Sequence, residues 1–116
     1  MRRVMKTVIG TAMAVLLTTS GYARDIPNAD YGKGLLETCI DTDRQNKMWC
    51  LAFIVAVAQI MRSDDVSKNV ACLPPVVDRR YLVAAAVQWM VEHPDFGQYP
   101  ASGVVSLALA TTWPCE

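Results

Sequence analysis

The sequence predicts an all-α fold, a small bundle of about four helices stapled by two disulfides. Three observations carry that expectation. The chain has 116 residues, 53% of them hydrophobic, enough for one small domain. Four segments read as helices, joined mostly by short turns rich in proline or polar residues. Four cysteines, an even number, all lie beyond a leader that reads as secretory.

That leader comes first. "MRRVMK" is a basic stretch, "TVIGTAMAVLLTTS" is apolar and uncharged, and "GYA" places small residues before a cut after Ala23. The apolar core is about 14 residues, short of the roughly 18 to 20 that span a bilayer, so residues 1–23 read as a cleaved signal peptide rather than an anchor. The mature domain is then 24–116, exported, with no membrane segment after cleavage. Removing Arg2, Arg3 and Lys6 from eleven basic side chains leaves eight against eleven acidic ones, a net charge of −3. No basic patch remains to hold nucleic acid; "DRR" at 78–80 is the densest positive spot.

Residues 24–29 read as irregular. "DYGKGLLETC" (30–39) is a weak first helix: Asp30 is its expected cap, and Gly32 and Gly34 each cost about 1 kcal/mol relative to alanine. "IDTDRQ" is a polar turn. "NKMWCLAFIVAVAQIMR" (46–62) is the strongest helix, apolar almost all round and too short for a membrane span; it is expected to be central and fully buried. "SDDVSKNVACLPPVV" (63–77) is a long polar connection. "DRRYLVAAAVQWMVEH" (78–93) is a third helix with Asp78 as N-cap and a stripe of Leu82, Val83, Ala86, Val87, Trp89 and Met90. "PDFGQY" is a turn. "PASGVVSLALATTW" (100–113) is a fourth helix, with Pro100 in its first turn and Ala101, Val104, Leu107 and Ala108 facing inward.

The cysteines are Cys39, Cys50, Cys72 and Cys115. No CxxC occurs and only one histidine exists, a poor fit to zinc, so no metal or cofactor is expected. Four cysteines allow three pairings. Antiparallel neighbours bring the end of the first helix beside the start of the second. They also bring the approach to the third helix beside the end of the fourth. The expected pairs are therefore Cys39–Cys50 and Cys72–Cys115, worth about 3 and about 4 kcal/mol on the chain-entropy account. The second pair ties down a terminus that would otherwise fray.

The lone His93 ends a helix before Pro94, where an imidazole interacts favourably with the helix dipole. No nucleophile elbow, HExxH, phosphate loop or calcium loop accompanies it. No catalytic residue is expected, and the chain is not expected to be an enzyme.

The segments "GLLETC", "MWCLAFIVAVA", "ACLPPVV" and "YLVAAAVQWMVEHPDFGQYPASGVVSLALATTWPC", over residues 32–115, resemble the Rap/Tai family of immunity proteins. The order of helix, His-Pro, short turn, alanine-rich helix and aromatic-Pro-Cys end is the most specific part. The chain departs from that pattern at Ala52, Ala56, Gln59 and Trp113. The resemblance implies a periplasmic, disulfide-bonded, all-helical homodimer. Its implied partner is a papain-like peptidoglycan amidase effector of the type VI secretion system, whose active-site groove it occludes. Two segments are candidates for that contact. The preferred one, for electrostatic contact, is the acidic loop at 63–71, through Asp64 and Asp65; the other, an aromatic contact surface, is 94–99, through Phe96 and Tyr99, since interfaces favour aromatic anchors. The alternative reading is a small periplasmic chaperone or envelope protein of the same helical fold with no toxin partner.

Overall fold

The computed structural model describes residues 29–63 and 70–115. The expected signal peptide (1–23) and the Asp64–Asp65 pair lie outside the described residues. The described residues form four α-helices: α1 (Gly32–Ile40), α2 (Arg44–Ser63), α3 (Arg79–Glu92) and α4 (Ala101–Thr112). A single turn of 3-10 helix, η1 (Pro94–Gln98), joins the last two. No β-strand occurs among them.

Every pair of α-helices is in contact, so the four close around one core. Leu35, Ile54, Val105 and Leu109 are fully buried at its centre. Ala58 on α2, Ala86 on α3 and Ala108 on α4 are also fully buried, and their small side chains let the three backbones approach closely. Thr38 is the one buried polar side chain among the described residues. Its hydroxyl donates to the Gly34 carbonyl one turn back (2.8 Å), so it is not left unsatisfied.

Both expected disulfides are present. Cys39–Cys50 joins the end of α1 to the second turn of α2, and Cys72–Cys115 joins the approach to α3 to the segment after α4. The two differ in setting: Cys39 and Cys50 are buried, whereas Cys72 is exposed. Around the second bridge the Cys72 amide donates to the Trp113 carbonyl (2.8 Å), and Tyr81 leans on the Trp113 ring (5.7 Å).

Helix ends follow the residues with some shifts. Asp78 caps α3 as expected, accepting from the Arg80 amide (2.8 Å). Asp30 does not cap α1; Tyr31 occupies that position in extended backbone, and the Asp30 carbonyl instead accepts from the Ala101 amide (2.8 Å). α2 begins two residues before the expected Asn46, because Asp41 holds both the Asp43 amide (3.1 Å) and the Asn46 side chain (2.7 Å) and so shapes the turn into the helix. Pro100 is the cap of α4 and not part of its first turn.

Two burial expectations are corrected. α2 is not fully buried: Cys50, Ile54, Val57, Ala58 and Met61 face inward, while Met48 (59% exposed), Trp49 (45%) and Ile60 (59%) face solvent. In a bundle this small, α1, α3 and α4 all lie on one side of α2, and among the described residues no fourth helix covers its back. On α4, Leu107 is 41% exposed and Leu109 is buried in its place, because the helix turns Val105 and Leu109 onto the core row.

Candidate partner-binding surface

The end of α3 builds the first candidate surface. Pro94 disfavours helical backbone in the residue before it, so His93 leaves the helix at φ −129°, ψ 64°. The His93 amide still reaches the Met90 carbonyl (3.3 Å), and its ring Nδ1 lies 2.8 Å from the Trp89 carbonyl. A carbonyl only accepts, so Nδ1 is the donor there. The ring stacks on Trp89 at 4.0 Å with 14° between planes. His93 therefore closes a helix end, as its sequence position suggests.

From Trp89 a chain of rings runs outward. Phe96 tilts on Trp89 (5.2 Å) and sets its edge to His93 (6.2 Å), and Tyr99 tilts on Phe96 (5.6 Å). Trp89 is buried, Phe96 half-buried and Tyr99 50% exposed, so the row leads from core to surface. Expected as a contact residue, Phe96 thus has a second role, in which its ring closes the core under the turn.

Main-chain bonds hold this corner from both sides. Within η1, the Phe96 amide donates to His93 and the Tyr99 amide to Phe96 (both 3.1 Å). Across the fold, the Gly32 amide donates to the Tyr99 carbonyl (2.9 Å), and Tyr31 pairs with Pro100 as an antiparallel bridge. The approach needs glycine twice. A Cβ on Gly32 would lie 3.0 Å from the Phe96 carbonyl oxygen and 3.1 Å from the Val104 side chain. One on Gly97 would lie 3.1 Å from the Lys33 Cβ. The glycine that weakens α1 as a helix is what lets α1 sit on the turn.

Beside the corner a largely apolar cleft of about 330 Å³ opens between Leu36, Met90, His93, Phe96 and Val104. A shallower groove of about 510 Å³ lies across Lys33 and Gly97, edged by Tyr31, Glu37 and Gln98. The outer face of α2, with Trp49 stacked on Phe53 (5.3 Å, 15°), is a second exposed apolar surface. Sequence reasoning missed it. The available signal was a helix apolar on all sides in a chain too short to surround it. No helix among the described residues is long and apolar enough to cross a membrane. Nor, among the described residues, does any group of three or more His, Cys, Asp or Glu stand close enough to hold a metal.

Two carboxylates on the described surface are held by local partners. Asp78 is held below the ordinary carboxylate range by the Arg80 guanidinium and then by the Arg80 amide. Asp41 is lowered by the Asp43 amide and then by the Asn46 side chain.

These features define a class: a small, disulfide-stapled helical protein presenting a braced aromatic corner. A family model describing Rap1a immunity proteins matches residues 31–115, nearly all of the described fold. The chain belongs to the Rap1a immunity protein family. No curated protein and no solved structure matches it.

Proposed function

We propose that this chain is the periplasmic immunity protein against a type VI secreted peptidoglycan amidase of papain-like cysteine type. On this reading the leader is removed after Ala23. The mature protein acts as a non-enzymatic homodimer and protects by occluding the amidase groove. Membership of the Rap1a family over residues 31–115 is the observation that carries it. Two disulfides suit an oxidising compartment.

The corner at 94–99 supports the mechanism. An inhibitor gains affinity when its contact loop is already ordered, because less conformational entropy is lost on binding. Here the loop is tied by main-chain bonds to α1 and by ring contacts to the core. Tyr99 is the exposed anchor and Phe96 its support. Asp64 and Asp65 supply the electrostatic part of the contact, against a basic rim or the catalytic histidine of the amidase.

Inhibition tests this directly. Purified mature protein is mixed with the cognate amidase, and release of stem peptides from peptidoglycan is followed. Loss of activity at stoichiometric amounts is expected. Undiminished turnover with excess protein would overturn the proposal.

A further inference from the structure

We infer that the Cys72–Cys115 bridge is a redox-sensitive latch: a dithiol reductant opens it in the folded protein while Cys39–Cys50 stays closed. The inference concerns the scaffold and holds whatever partner the corner meets.

Thiol–disulfide exchange begins when a thiolate reaches one sulfur of the bond, so access decides which bridge reacts. Cys39 is 9% exposed and Cys50 1%, so neither end of their bridge stands open to solvent. Cys72 is exposed and Cys115 half-buried, which makes Cys72 Sγ the sulfur within reach. The incoming thiolate bonds to Cys72 Sγ. The Cys72–Cys115 bond breaks, and its electron pair leaves on Cys115 Sγ, which takes up a proton. The reductant's second thiol, as thiolate, then displaces Cys72 in the same way, and Cys72 also ends as a thiol. Two electrons have passed from the dithiol, now a disulfide, to the bridge.

The surroundings decide what opening does. The bridge spans 43 positions and fastens the approach to α3 onto the segment after α4. Few other bonds back it. The Cys72 amide donates to the Trp113 carbonyl (2.8 Å), and the Tyr81 ring leans on Trp113 (5.7 Å). The Arg62 guanidinium donates to the Pro74 carbonyl (2.8 Å), which holds the approach to the end of α2 and not to α4. Leu73, Val77 and Trp113 are only partly buried at the edge of the core. A segment held by so few bonds opens locally well before the core does. The core itself has other supports: Cys39–Cys50 keeps α1 on α2, and Leu35, Ile54, Val105 and Leu109 stay fully buried. The corner adjoins the first residue of α4, whereas Cys115 follows its last. The 12-residue helix between them is about 18 Å long. Opening therefore loosens one end of the bundle and leaves the aromatic corner ordered.

Timed reduction tests the order of opening. Mature protein with both bridges formed is treated with dithiothreitol in the absence of denaturant, its thiols are capped with iodoacetamide at intervals, and the caps are located by peptide mapping. The expected course passes through a two-thiol species capped at Cys72 and Cys115 before any cap appears on Cys39 or Cys50. Caps on all four together, on Cys39 and Cys50 first, or on none would overturn the inference. A second arm reads what the bond holds. The double variant Cys72→Ser with Cys115→Ser stands in for the opened state, and hydrogen exchange is followed at single amides. The amides at position 72 and at Trp113 should exchange about tenfold faster or more than in wild type, and those of Gly32 and Tyr99 at the unchanged rate. Faster exchange at all four would make the bridge a support of the whole fold. Unchanged exchange at all four would leave it holding nothing. Either result would overturn the latch.

Discussion

The aromatic corner and the outer face of α2 are both exposed and both apolar, yet they are built in different ways. α2 is regular helix. Its backbone bonds are internal, so the side chains on its back can change without disturbing the fold. The corner is irregular backbone, and neighbours supply its bonds: the Gly32 amide to Tyr99, the Ala101 amide to Asp30, and the His93 ring to Trp89. Its rings belong to the core and to the surface at once. Substitutions on the back of α2 therefore leave the fold undisturbed, whereas those at the corner disturb it unless they are confined to Tyr99.

Phe96→Ala should draw the sharpest line between the regions. It removes a half-buried ring in contact with Trp89, His93 and Tyr99, and should destabilise by about 2 kcal/mol in chemical denaturation. Ala52→Ser, on the exposed back of α2, should stay within about 0.5 kcal/mol of wild type when measured under monomeric conditions. Equal effects would erase the distinction.

Glycine substitution is next in size. Gly32→Ala drives a methyl against the Phe96 carbonyl and should cost about 1–2 kcal/mol. Gly103→Ala, in α4 with open space around its Cα, should instead stabilise by about 0.5 kcal/mol. Opposite signs in paired melting curves would support the close packing of α1 on η1; a neutral Gly32→Ala would remove it.

The smallest effect is acid sensitivity, and neither surface is its source. Asp41 and Asp78 are lowered in the folded state, so the stability they contribute is present above the ordinary carboxylate value of 3.8 and is lost as pH falls through their lower folded values. Melting temperature should hold steady down to about pH 4 and then decline. Asp78→Ala should lower it at neutral pH and flatten that decline. A variant declining as steeply as wild type would place the acid sensitivity elsewhere.

Much of this fold was legible in the sequence, because strong local signals coincide with what packing requires. Asp78 before an apolar stripe, Pro94 after a histidine, and four cysteines at the ends of antiparallel helices placed α3, its termination and both bridges. The α2 surface was not legible in that way. Hydrophobicity shows that residues are to be covered, but not whether by the same chain, so Met48, Trp49 and Ile60 were read as core. Leu107 and Leu109 exchanged places for a related reason. α4 is apolar on most sides, and its phase is set by its neighbours rather than by its own pattern. At the corner, Phe96 and Tyr99 stood out as aromatic residues between prolines. Their bracing by Gly32 could not be read, because that bond joins residues 67 positions apart.

The central claim is that the corner carries the contact with the amidase. Titration calorimetry of the amidase against wild type and Tyr99→Ala, with melting curves as the folding control, tests it most directly. Tyr99 is the outermost ring of the row, so its removal should leave the fold intact and weaken binding about tenfold or more. Unchanged affinity in a folded Tyr99→Ala protein would contradict the account and move the contact away from residues 94–99.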